Sequence, residues 1–203
     1  MINIDNKSFK PFNKWLKKVF IGKNFSLAKH QKFLTLFTCG NAKFAPGTVA
    51  SIVTVIIWHC SLFLLSEFAS QINLMWLVVA IIAFFYGVVA VPFYERHLNQ
   101  KDPSSVVIDE FVGQMLALNI SFIYISFFVE SALLNADKIW FIEFINPLIC
   151  LILFRFFDIV KPSLIGKIDR EVKGGLGVML DDLVSGILSG IIAVAIMMIF
   201  KLI

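Results

Sequence analysis

Two pairs of adjacent carboxylates, Asp109-Glu110 and Asp181-Asp182, carry the clearest chemical signal in the chain. Each pair stands at the start of a long apolar run, in "KDPSSVVIDEFVG" (101–113) and "KGGLGVMLDD" (173–182). Side-by-side acids next to hydrocarbon repel one another, and a bound divalent cation offsets that repulsion. Asp158, Asp169 and Glu171 add further oxygens, and Arg155, Lys161, Lys167, Arg170 and Lys173 lie among them. A donor set without His or Cys favours a hard ion, Mg²⁺ ahead of Ca²⁺ and Zn²⁺. Mg²⁺ held by a few carboxylates keeps positions for water and phosphate oxygens, and the basic groups supply donors for the rest of a phosphoryl group. The pattern reads as a phosphate-metal site.

Gly174, Gly175 and Gly177 permit positive φ and close backbone approach, so an anion-binding nest beside the acids is expected. "GLGVML" is not a dinucleotide fingerprint, because Leu180 holds the third glycine position and no strand precedes it. Taken singly, each Asp also reads as a helix cap and Pro46-Gly47 as a turn. The combination of paired acids, glycines and cations is what favours chemistry. Cys39, Cys60 and Cys150 are odd in number and far apart, so they draw no disulfide framework. "CLILFR" (150–155) is one residue short of a phosphate-cradling Cys loop and has no glycine. His30, His59 and His97 form no ligand spacing.

The elements that must position these groups are membrane helices. The chain has 203 residues, 59% of them hydrophobic, with 22 Phe, and its mean hydropathy is +0.85. Those values lie outside the range of soluble domains. Five apolar stretches, about 49–66, 74–93, 112–129, 139–157 and 183–203, each approach the ~20 residues that cross ~30 Å of hydrocarbon. Backbone hydrogen bonding in lipid then requires helices. The fold class is an all-α, multihelical polytopic membrane protein with four or five transmembrane helices, the fourth stretch being interrupted by Glu143, Asn146 and Pro147.

Residues 1–37 form a separate basic segment. Lysines at 7, 10, 14, 17, 18, 23, 29 and 32, with Phe9, Phe12, Leu16, Val19 and Phe20 at helical spacing, predict an amphipathic helix in the headgroup region, an uncleaved cytoplasmic anchor. Residues 38–203 are the membrane domain. With the N-terminus inside, five spans put every Lys and Arg on the cytoplasmic side except Lys138, Arg155 and Lys201. The net charge of +4 is clustered at the ends of apolar runs, which suits an anionic lipid surface and not nucleic acid. The same parity puts "CGNAKFAPGTVAS" (39–51), the 101–113 segment and 155–182 on one face, where their side chains can converge.

"APGT" at 45–48, "DPSSVVIDEFVG" at 102–113 and "RFFDIVKP…IDREVKGGLGVMLDD…SG" from 155 to 186 resemble the phosphatidylglycerophosphatase A family in order and spacing. The resemblance implies a Mg²⁺-dependent phosphatase that converts phosphatidylglycerophosphate to phosphatidylglycerol at the bacterial cytoplasmic (inner) membrane, with its active site facing the cytoplasm. It also implies an all-α fold. Asp109, Glu110, Asp158, Asp169, Asp181 and Asp182 match the family's acidic motif positions, and Arg155, Lys161, Arg170 and Lys173 the basic ones. Val49-Ala50 replaces a Trp-Gly pair found in many relatives, and "KPSLI" lacks their second proline at 163 or 164. Both departures bear on packing more than on the reaction.

The working assignment places Mg²⁺ on Asp109, Asp181 and Asp182, with Glu110 or Asp158 orienting the attacking water. Arg155, Lys161, Arg170, Lys173, Gly174, Gly175 and Thr48 are the substrate-binding candidates. Direct attack by water and a transient phospho-Asp both fit this inventory. The competing class is a small membrane transporter, which calls for ionisable residues at mid-membrane depth, where Glu143 and His59 are the notable intruders.

Overall fold

The computed structural model describes residues 10–21, 26–131 and 136–202, excluding the side chains of 10–13, 17, 125, 127–143 and 200–202. Among them the chain is all-helical: α1 Lys10–Phe20, α2 Leu27–Leu34, α3 Pro46–Leu64, α4 Ala69–Leu98, α5 Ile108–Ser131, α6 Ala136–Val160, α7 Ser163–Glu171 and α8 Gly175–Leu202. The five apolar stretches map one each onto the long helices α3, α4, α5, α6 and α8, the first running two residues past the end of α3 at Leu64 and the last described as far as Leu202. Three segments, Pro46–Leu64, Ser66–Leu98 and Gly175–Ile199, are long and apolar enough to cross a membrane among the described residues. The side chain of Glu143, and those of Lys138 and Lys201, lie outside the description.

Local signals explain the boundaries. Pro46 opens α3, where its missing N–H costs nothing and its fixed φ suits a first turn. Asn99 ends α4 in the left-handed region that Asn tolerates. Pro162 turns the chain from α6 into α7, with Lys161 just before it at φ 45°.

α8 is the axis of the bundle and packs against α4, α5, α6 and α7, most extensively α5. Small residues make that approach possible, as expected where lipid supplies no hydrophobic drive between helices. A Cβ on Gly186 would sit 2.7 Å from the carbonyl carbon of Gly113, and one on Gly190 2.8 Å from Ile120 Cβ. Buried polar pairs fix the other contacts. The Trp58 indole donates to Asn73 at 3.2 Å and the Trp76 indole to Ser61 at 2.9 Å, clasping α3 to α4, while Ser121 donates to Asn146 between α5 and α6. The outward faces are apolar, with Ile52, Ile56, Ile81, Ile82, Ile152 and Ile191 exposed as a lipid-facing surface would be.

Because α3, α5 and α8 run away from one end and α4 and α6 return to it, the 39–51, 101–113 and 155–182 segments meet there.

Candidate active site

Asp109 and Glu110 occupy the first turn of α5, where the helix dipole favours negative charge. Asp181 and Asp182 lie in the second turn of α8 and are both buried. One carboxylate oxygen from each of Asp109, Glu110 and Asp182 falls within 4.8 Å of the others. The glycine pair at the α5–α8 crossing brings them together: Gly113 lies one helical turn beyond Asp109, and Gly186 one turn beyond Asp182. A Cβ on Gly113 would come within 2.5 Å of the Asp182 carbonyl oxygen and 2.8 Å of Phe154 Cζ.

The third segment contributes space. Gly47, at the start of α3, faces the same cluster, and a Cβ there would overlap the Glu110 carboxylate and lie 3.1 Å from Arg155 Nη2. "APGT" is therefore a helix start with a cleared first turn, reached through Ala45 at φ 44°.

The cations divide between two acidic groups. Arg155, at the end of α6, sets Nη1 2.8 Å from Asp158 Oδ2 and packs its guanidinium against the Phe154 ring. Its buried Nε has no hydrogen-bond partner in the protein. Lys161 donates to Asp181 Oδ2 at 2.5 Å and Asp169 Oδ1 at 2.8 Å. Burial alone would lower the Lys161 pKa, but the hydrogen bonds to Asp169 and Asp181 outweigh it and raise it. The Lys161 hydrogen bond in turn lowers the Asp169 pKa. Lys173 turns back to donate to the Arg170 carbonyl at 2.7 Å.

These groups line one cavity of about 710 Å³. Asp109, Glu110, Asp158, Asp169, Asp181, Asp182, Arg155, Lys161, Lys173 and Gly174 all reach it; Thr48, Arg170 and Gly175 do not. Two expectations change in detail. Glu110, not Asp181, completes the close carboxylate trio, because the Asp181 carboxylate is drawn to Lys161. Of the three glycines expected to form a nest, Gly174 and Gly177 line the cavity, and Gly174 is the one at positive φ, 75°, with open space beside it. Gly175 is required by packing, since a Cβ would sit 2.7 Å from Pro92 Cδ, and Gly177 would meet the Val172 carbonyl. Lys101, Asp102 and Ser104 also line the cavity. They stand inside the quoted "KDPSS" segment, yet a Lys and an Asp beside a Pro read locally as an ordinary polar turn.

The trio fits a hard cation. Glu110 Oε2 and Asp182 Oδ2 are buried with no hydrogen-bond partner in the protein, and leaving such oxygens bare is costly. All three donors are carboxylate oxygens, the ligand type of Mg²⁺. Arg155 stands beside Glu110 as an organic counter-charge suited to phosphate oxygens.

The family model for phosphatidylglycerophosphatase A matches residues 32–197. A Bacteroides thetaiotaomicron protein named "Putative phosphatidylinositol-3-phosphatase" is 36% identical over 79% of this chain and 89% of its own length. Phosphatidylglycerophosphatase A of Escherichia coli K12 is 28% identical over 75% of this chain and 74% of its own. The Haemophilus influenzae enzyme of the same name is 30% identical over 75% and 78%. No solved structure matches the chain. The matched region contains the carboxylate trio, Arg155, Lys161 and the α5–α8 crossing that assembles them, and the chain belongs to the phosphatidylglycerophosphatase A family of phosphatases.

Proposed function

We propose that this membrane phosphatase removes the terminal phosphate of phosphatidylglycerophosphate to give phosphatidylglycerol, with Mg²⁺ as cofactor, at the cytoplasmic face of the bacterial inner membrane. The observation that carries the reading is the trio Asp109, Glu110 and Asp182, with unpartnered buried oxygens, beside Arg155 at the polar end of an apolar bundle. A lipid phosphomonoester presents its charged head at this depth while its chains stay in the bilayer.

Asp109, Glu110 and Asp182 would hold Mg²⁺, which when bound supplies charge neutralisation at phosphate and an acidified water. Arg155 directs its guanidinium at the phosphate oxygens, and its Asp158 partner fixes that orientation. Asp158 lines the same cavity as Asp182, which supports assigning it to hold a water beside the phosphate. Water oxygen bonds to phosphorus as the ester P–O bond breaks, Asp158 takes one proton from that water, the departing alkoxide takes a proton from solvent to leave as the alcohol, and Asp158 returns its proton to solvent. Lys161, kept charged by Asp169 and Asp181, adds positive potential at the mouth.

A second substrate follows from the printed name of the Bacteroides relative: phosphatidylinositol 3-phosphate is also a lipid phosphomonoester. Transport has less support, since the clustered acids among the described residues gather at one end of the bundle and line no path through it.

The test is phosphate release by the purified protein in detergent from phosphatidylglycerophosphate, phosphatidylinositol 3-phosphate and phosphatidic acid, each with Mg²⁺ and with EDTA. Release from the first substrate, lost with EDTA, is expected. Preference for the inositol lipid would reassign the substrate, and EDTA-insensitive turnover would remove the metal.

A further inference from the structure

From residue 6 to residue 66 the chain carries nine lysines and no Asp or Glu. Much of this stretch precedes the family match, which begins at residue 32. Its described part is docked onto the bundle. Leu16 is buried, Phe20 meets Tyr86 edge-on at 5.8 Å, and buried His30 places Nδ1 2.9 Å from the Tyr86 hydroxyl. Two further contacts reach the catalytic loop, residues 101–107 leading into α5: the Leu34 carbonyl accepts the Val107 N–H at 2.9 Å, and Gly40 abuts the Ser105 backbone.

Packing by one face leaves another outward, and that face is both basic and aromatic. Lys14, Lys18, Lys32 and Lys43 are exposed, as are Trp15 at 59%, Phe37 at 66% and Phe44 at 86%. α4 has 30 residues, about 45 Å, so about 15 Å stands clear of a ~30 Å hydrocarbon layer. Tyr86, where α1 docks, is 12 residues, about 18 Å, before the end of α4 at Leu98; with that overhang on the Leu98 side the α1 contact lies at the hydrocarbon boundary, the zone that interfacial aromatic rings prefer.

We propose that α1, α2 and the loop to Lys43 form an anionic-leaflet binding surface joined to the catalytic loop, which holds anionic lipid headgroups at the cavity mouth. Charge complementarity selects the occupant: an acid-free run of lysines fits a negatively charged bilayer and not a zwitterionic one. Only the kinetic arm of the test below rests on the lipid-phosphatase reading.

The full chain is reconstituted in bilayers of phosphatidylcholine with or without phosphatidylserine, and compared with the variant carrying Lys14→Gln, Lys18→Gln, Lys32→Gln and Lys43→Gln. The Trp15 fluorescence, isolated by difference against Trp15→Phe, is expected to be quenched more by brominated phosphatidylserine than by brominated phosphatidylcholine at equal mole fraction. The four-lysine variant is expected to lose that difference. With the surface fraction of phosphatidylglycerophosphate varied, phosphatidylserine is expected to compete for the same lysines and raise KM for the unaltered chain by about tenfold at low salt, less at high salt, with kcat unchanged. The variant is expected to show no such effect while keeping its turnover in detergent. Equal quenching by the two brominated lipids, or a KM indifferent to phosphatidylserine and salt, would overturn the inference. Failure of all turnover in detergent would instead count against the phosphatase reading and leaves the fluorescence result to decide this one.

Discussion

Gly113 and Gly186 face each other across the α5–α8 crossing with no room for a methyl group, and each lies one turn from a carboxylate of the trio. The backbones of two helices therefore set the spacing of Asp109, Glu110 and Asp182, and the side chains need only extend.

Gly186→Ala is expected to separate the helices. Overpacking of this kind costs about 1–3 kcal/mol, and displacement of catalytic groups by ~1 Å costs ~100-fold in rate. Thermal unfolding and kcat measured together check this; a variant with unchanged kcat would mean that the crossing does not set the geometry.

Gly47→Ala is expected to lower kcat by at least about tenfold with little change in stability, because the atoms nearest its Cβ are the flexible ends of Glu110 and Arg155. Thr48→Ala, one residue on and away from the cavity, is expected to stay within about threefold. Steady-state kinetics on the two variants separates space-making from general damage to α3.

The two members of the "DD" pair are expected to behave differently. Asp182→Asn should remove turnover by about 1,000-fold or more and abolish the rise in melting temperature on adding Mg²⁺. Asp181→Asn should leave that Mg²⁺ shift in place and act through Lys161, mainly on KM. Thermal shift across a Mg²⁺ titration, with EDTA as the baseline, distinguishes them without requiring activity. Identical loss of the shift in both variants would put Asp181 back among the ligands.

The Lys161–Asp169 pair carries a pH signature. Hydrogen bonding from Lys161 lowers the Asp169 pKa below its ordinary 3.8, so its contribution to stability is present above that value and is lost as pH falls through the lower folded value. Asp169 is about half exposed, and solvent screening keeps the contribution below about 1 kcal/mol. The stability difference between the unaltered chain and Asp169→Asn is expected to be constant near neutrality and to vanish at acid pH. A difference that grows on acidification would contradict the assigned pair.

Much of this was legible in the sequence because apolar run length and acidic pairs speak directly. Asp109-Glu110 and Asp181-Asp182 stand out as doublets beside hydrocarbon, and helix parity alone brings their segments to one end. The division of labour within the second doublet was not legible, since it depends on Lys161 reaching back from the α6–α7 turn, through a left-handed residue that sequence does not mark. The glycines misled for a related reason. "GGLG" has the composition of an anion loop, yet Gly175 and Gly177 owe their identity to Pro92 and Val172, partners distant in the chain or hidden by the turn.

Asp109 and Asp182 belong to helices separated by all of α6 and α7. During insertion α5 carries two of the three clustered acids into place, and the third arrives only with α8. On the metal site proposed above, hydrolytic competence would be withheld until α8 has docked against α5, which would make turnover itself a reporter of that docking and leave a partly inserted chain harmless to the lipids around it.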